Sequence, residues 1–180
     1  MVPEAQLEQT ENGLVPAGDG WFVLNARDAT WLHAPGRSAV CEVEGATPFP
    51  ELGINLSVLE PGESMAMYHR EADQEDFLVL AGEALLIVEG TERPLRQWDF
   101  FHCPRGAAHT IIGAGTSTSV LLAVGARILS QGPDWGAYTV DPTAQRHGVG
   151  VDNETTDPLV GYQGLKRRKS TRYRPGWLPD

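Results

Sequence analysis

Cysteine is nearly absent from this chain of 180 residues, which has only Cys41 and Cys103. Two thiols are too few to staple a small secreted scaffold, so a reduced, cytoplasmic setting is the simpler expectation, with a disulfide between the two left open. Long apolar runs are also missing. Nowhere do about 18 apolar residues stand together, and Met1–Gly13 is polar and acidic, without a basic start and an apolar stretch. Both features argue against a membrane span and against a secretory leader. Positive charge is scarce as well: 14 Lys and Arg face 24 Asp and Glu, for a net charge of −10. Helical periodicity beyond about two turns is lacking, which removes helical bundles from consideration. No glycine-rich loop of the phosphate-cradling kind occurs, since Gly113 and Gly115 are not followed by the helix that such a loop requires. No serine stands in a convincing nucleophile setting, and the five tryptophans are spread too evenly for a base-stacking platform.

What is present suits one domain. A hydrophobic content of 41% excludes a disordered acidic chain and supplies a sizeable core. Charge is distributed unevenly. Lys166, Arg167, Arg168, Lys169, Arg172 and Arg174 lie in the last fifteen residues with a single acid, so the acidic excess belongs to the body. Such a tail with Tyr173 could be a nucleic-acid footprint. An acidic body would repel a phosphate backbone, however, so the expected role is pairing with that body or with a partner subunit.

Short strand-like runs punctuated by 20 glycines and 13 prolines point to an all-β fold. Trp21–Asn25, Ala39–Glu44 and Ile54–Leu59 read as strands. Phe77–Leu80 and Ala84–Glu89 flank Gly82 and predict a hairpin or a tight bend. Ser119–Val124 closes the series, and from Ser130 onward the pattern loosens into an arm ending in Trp177, expected to be buried on the barrel or on a neighbour. This divides the chain into an N-terminal β extension at 1–55, a barrel core at 56–128 and a C-terminal arm with its basic tail at 129–180.

Two blocks of metal-ligand residue types lie in the middle. The first contains Gly62, His69, Glu71, Glu75 and Gly82, and the second contains Pro104, Gly106, His109 and Gly113. They resemble the double motif of the cupin superfamily, as a single-barrel protein of the type 2 kind. Its first block runs glycine, five residues, His-x-His, three or four residues, glutamate, six residues, glycine. Its second runs glycine, five residues, Pro-x-Gly, two residues, histidine, three residues, asparagine. The gap from Glu75 to Gly82, the pair Pro104 and Gly106, and the place of His109 all match. The resemblance implies a double-stranded β-helix, a jelly-roll barrel often found as a homodimer.

The departures bear on whether the barrel holds a metal. Counting five residues from Gly62 lands on Tyr68 and Arg70, whereas counting back three from Glu75 lands on His69 and Glu71. A slip of one residue exchanges the faces of a strand, so the readings exclude each other. The count from Glu75 crosses less loop and is favoured. Trp98 stands where the family has glycine, and Gly113 where it has asparagine.

The expected metal ligands are therefore His69, Glu71, Glu75 and His109. Two imidazoles and two carboxylates suit Zn, Fe, Mn or Ni, and the carboxylates balance a divalent charge. His102 and Cys103 alternate on the strand entering the second block, so one of them should face the pocket. With Tyr68 they are candidate pocket residues. His33 and His147, outside both blocks, read as surface or loop residues. These features favour a divalent-metal enzyme of dioxygenase or isomerase type acting on a small polar molecule, in which a carboxylate free of the ion could act as base. The alternatives are a non-catalytic cupin that binds or senses a small molecule, and a relic that binds no metal.

Overall fold

The computed structural model describes residues 1–129, 132 and 134–179. Ser130, where the strand pattern is expected to loosen, lies outside them. Strand accounts for 45% of the chain and helix for 5%, and the fold is the double-stranded β-helix of antiparallel sheets. The strands are β1 Gln6–Thr10, β2 Gly13–Ala17, β3 Thr30–Ala34, β4 Arg37–Cys41, β5 Leu52–Leu59, β6 His69–Glu71 and β7 Glu75–Ala81. They continue as β8 Glu83–Val88, β9 Thr91–Arg96, β10 Phe100–Cys103, β11 His109–Ala114, β12 Ser119–Ala126, β13 Gly136–Tyr138 and β14 Lys169–Arg172. Two short helices, α1 Pro142–Arg146 and α2 Pro158–Gly161, lie in the C-terminal segment.

A seven-stranded sheet of order β10-β7-β12-β5-β4-β3-β14 faces a five-stranded sheet of order β13-β6-β11-β8-β9, and β1-β2 forms a separate ribbon. The run 77–89 makes a bend rather than a hairpin. β7 pairs with β10 and β12 in one sheet, while β8 pairs with β9 and β11 in the other. Gly82 makes this corner at φ +75°, where a Cβ would collide with the Thr118 carbonyl oxygen. Trp21–Asn25 is not a strand. Its one regular contact among the described residues is a bridge from Trp21 to Glu4; Trp21 and Val23 are exposed, and Leu24 packs against the outer cluster without joining a ladder.

The interior between the sheets is filled at one end by Leu59, Phe77, Val79, Leu86, Ile111 and Leu121. Both sheets are also covered outside. Trp31, Ala39, Cys41, Val58 and Val120 pack under Trp177 behind the large sheet. Tyr68, Ile87 and Ile112 pack against Ala144 and Val149 behind the small one. Burial on both faces explains why Ala84–Val88 is continuously apolar instead of alternating. The two cysteines lie in different clusters, and both are free thiols.

The C-terminal segment wraps the barrel. Its tail forms β14 on the free edge of β3, with Lys169 opposite His33 and Arg172 opposite Thr30. Arg172 Nε donates to the Glu11 carbonyl oxygen at 2.7 Å, and Arg174 sits over the Trp177 ring. The tail thus packs on the body, but through carbonyls, ladder bonds and rings: among the described residues none of its cations is within ion-pair distance of a carboxylate.

Candidate metal centre

At the other end of the interior, the sheet register brings the ligand-type residues together. His109 on β11 lies directly opposite His69 on β6. In an antiparallel pair such residues project to the same face, and the two imidazole centroids are 5.0 Å apart. Alternation along β6 places Glu71 on that face too, and sends Arg70 outward toward Glu154, 3.4 Å away. The chain then crosses to the opposing sheet, where Glu75 opens β7. A buried carboxylate at Asp73 anchors the crossing by accepting a 2.7 Å hydrogen bond from the Leu129 backbone N–H.

One nitrogen of each imidazole is occupied. His69 Nδ1 lies 2.8 Å from the Met67 carbonyl oxygen, and His109 Nδ1 lies 3.1 Å from that of Ala107. A carbonyl only accepts, so each Nδ1 carries the proton, and both Nε2 atoms are left with lone pairs. Those atoms and a Glu75 carboxylate oxygen lie within 4.8 Å of one another. Glu75 Oε2 is 3.3 Å from His109 Nε2 and 3.9 Å from His69 Nε2, yet it is shielded from solvent and makes no well-formed hydrogen bond. Burial works to raise the Glu75 carboxyl, but in the metal-free chain the imidazoles, whenever they are protonated at Nε2, outweigh it, His109 first by hydrogen bonding and charge and then His69, and hold the group below the usual carboxylate range.

Three converging acceptors repel one another unless a cation lies among them. Two imidazole nitrogens and one carboxylate, with Nδ1 held by backbone carbonyls, form a donor set that fits a divalent transition ion, and the carbonyls are the outer partners such a site needs. Glu71 lies at its edge, with Oε1 3.4 Å from His69 Nε2.

The remaining candidates fall elsewhere. Cys103 points inward, but behind His109: its Sγ is 3.2 Å from His109 Nδ1, on the side away from the converging Nε2 atoms. Burial, then the charges of Glu75 and Glu71, push its thiol up to about 12, so it is neutral. His102 does not face the pocket. Its half-exposed ring sits 2.7 Å from Asp76 Oδ1 on the outer surface. Tyr68 is likewise outside the cavity, buried behind the small sheet, where its hydroxyl accepts from Gly90 N. His33 packs on Trp177, and His147 pairs with Glu92 at 3.0 Å.

The cluster opens into a cavity of about 290 Å³. Phe77, Ile111 and Ala123 supply an apolar wall, and Asn55 and Ser57 of β5 a polar one. Four further lining residues, Trp135, Tyr138, Tyr162 and Arg168, come from the C-terminal segment and are not evident from the sequence motifs. The His69 ring lies 6.1 Å from Tyr138 and 6.3 Å from Trp135. The available signal was compositional: aromatic residues and a basic cluster in a segment with little strand pattern of its own.

A family model described as a cupin domain matches residues 55–125, which contain the whole cluster. Among solved structures, a candidate sugar phosphate isomerase from Acidithiobacillus ferrooxidans is 36% identical over 43% of this chain and 51% of its own, with a TM-score of 0.42. The match thus spans about half the length of that protein. A predicted oxalate decarboxylase from Thermotoga maritima is 19% identical over 59% of this chain and 100% of its own, at a TM-score of 0.53. The polyketide cyclase RemF from Streptomyces resistomycificus is 16% identical over 59% and 79%, at 0.50. At such identities the last two are likenesses of fold. No curated protein matches the chain.

Proposed function

The chain belongs to the cupin superfamily through residues 55–125, and from that premise we propose that it is a divalent-metal enzyme acting on a small polar molecule inside the barrel. The observation that carries this reading is the convergence of His69 Nε2, His109 Nε2 and a Glu75 oxygen within 4.8 Å, with both Nδ1 atoms tied to carbonyls. His69, His109 and Glu75 would hold the ion, which is Zn, Fe, Mn or Ni. When bound, such an ion supplies Lewis acidity toward a carbonyl, as in isomerisation, or dioxygen activation if it is redox-active.

The chain's own groups supply the rest. Glu71 is a fourth donor or, when free of the ion, the base that takes up and returns a substrate proton. Phe77, Ile111, Trp135 and Tyr138 keep bulk water from the reacting atoms. Asn55 and Ser57 offer hydrogen bonds that orient a polar substrate. Two unpaired buried thiols favour a reduced, cytoplasmic setting. Exposed Leu52, Trp98 and Phe100 offer apolar surface for a homodimer.

Metal analysis of untagged protein reconstituted separately with each of the four ions tests this reading. One equivalent per chain is expected in the wild type, and its loss in His109→Ala. A wild type that retains none of the four ions would remove the proposal. Glu71→Gln then separates the two roles of that residue: as base, its loss abolishes turnover with metal content unchanged, and as ligand, its loss lowers metal content as well.

A further inference from the structure

Arg168 is a cation in the cavity without a matching anion. It lines the same space as His69, Glu75 and His109, although it lies about sixty residues beyond the second motif block. Its guanidinium is held rigidly by three hydrogen bonds: Nε to the Ser38 carbonyl oxygen at 2.9 Å, and Nη2 to Ser38 Oγ at 2.6 Å and to the Met65 carbonyl oxygen at 3.1 Å. All three acceptors are neutral. No carboxylate among the described residues lies within ion-pair distance. Three of its five N–H groups are used, which leaves the two on Nη1 without an acceptor among the described residues.

Desolvating a guanidinium against neutral acceptors alone is unfavourable, and proteins usually place a counter-charge beside it. Here the compensation is weak. Burial first, and then nearby Arg37, lower Arg168 to about 10, against smaller raising effects from Tyr162 and from Glu63, which is beyond ion-pair distance and does not line the cavity, and the guanidinium is still charged at neutral pH. Arg37 itself is stacked over Tyr162, another lining residue, at 4.4 Å, and donates to the Lys166 carbonyl oxygen. The two carboxylates of the cavity, Glu71 and Glu75, gather at the His69 and His109 end. With a divalent ion there balanced by those carboxylates, the guanidinium is the charge left over.

We propose that Arg168 is the anchor for an anionic substrate, a small molecule carrying a carboxylate or phosphate group that accepts from the free Nη1 edge while its reacting end faces the His69, Glu75 and His109 cluster. This rests on the proposed metal-dependent activity and gives its substrate class. A guanidinium presents a planar pair of donors that fits either oxyanion. The C-terminal segment thereby supplies the binding determinant that the barrel motifs lack.

Calorimetric titration of the manganese-loaded full chain with malonate, with inorganic phosphate and with neutral malonamide tests the assignment and separates the two oxyanions. The wild type should bind malonate or phosphate, and malonamide at least about 10-fold more weakly. Arg168→Met should weaken the oxyanion about 10- to 100-fold, the range of a charge-assisted hydrogen bond, with manganese content unchanged. Equal binding of malonate and malonamide by the wild type, binding of none of the three, or full oxyanion affinity in a folded Arg168→Met protein would overturn the proposal. The first comparison needs no variant and holds even if Arg168→Met fails to fold. Metal content, read on the same samples, keeps the two proposals apart. Oxyanion binding that depends on Arg168 in a protein retaining no metal would sink the metal reading alone, whereas full metal with charge-indifferent binding would sink this one alone.

Discussion

Glu75 has the most demanding environment of any side chain in the cavity, because its carboxylate is buried between two imidazoles and below its ordinary value of 4.5. A carboxyl group that is more acidic in the folded chain than in the unfolded one stabilises the fold above the unfolded value, and that contribution is lost as pH falls through the lower folded value. Metal-free protein should therefore lose stability on acidification below about 4.5, and Glu75→Gln should reduce that slope, as read from urea midpoints between pH 6 and 3.5. The cysteines give a second expectation at this scale. Burial pushes Cys41 and Cys103 each up to about 12, so neither should react with iodoacetamide at pH 8 in the folded protein, and both should react in urea. Rapid native alkylation would contradict the packing of both clusters. His69, Glu75 and His109 were legible as candidates because their spacing matches a motif. Sequence also offered Cys103 only as a candidate pocket residue, since alternation tells which face a thiol takes but not which side of an imidazole it meets.

Among the elements, the corners carry the information. Gly82 turns the chain from one sheet to the other at φ +75° with a carbonyl where a Cβ would sit, whereas Gly62 at φ +86° has open space around it. Gly82→Ala should cost roughly 2–4 kcal/mol by chemical denaturation, and Gly62→Ala about 1 kcal/mol, the price of the left-handed backbone alone. Trp98 presents the opposite case. It adopts φ +75°, a region that favours glycine, and its side chain is 67% exposed, so Trp98→Gly should leave stability within about 1 kcal/mol of the wild type despite the loss of a large residue. The glycine position of the motif thus persists here as a backbone conformation. The two short helices could have been anticipated. Asp141 and Asp157 each precede a proline, and each carboxylate accepts a 2.8 Å bond from a backbone N–H in the first turn. Aspartate followed by proline is a helix-start signal, but helices of five and four residues are too short to leave a periodic pattern.

At the scale of the whole molecule, the C-terminal segment joins the barrel. Trp177 is 8% exposed and packs on Trp31 at 5.0 Å, closing the outer cluster behind the large sheet. Trp177→Ala should cost about 3–5 kcal/mol, measured by urea unfolding, because it empties a site walled by Trp31, Ala39 and Val58. A loss below about 1 kcal/mol would mean that the arm is dispensable to the barrel. The same segment brings Trp135, Tyr138, Tyr162 and Arg168 to the cavity, so folding the arm and completing the pocket are one event.

Sequence alone determined the all-β class and the two blocks that supply imidazole and carboxylate, because these depend on alternation, turn residues and local spacing, while the barrel itself was implied by the resemblance of those blocks to the cupin motifs. Whether His69 or Tyr68 faces inward, which imidazole nitrogen is free, and that a tail arginine reaches the cavity were decided only by tertiary structure. Strand register sets the facing of every side chain on a sheet at once, and the approach of Arg168 to the barrel depends on pairing between segments more than a hundred residues apart, which no local pattern encodes.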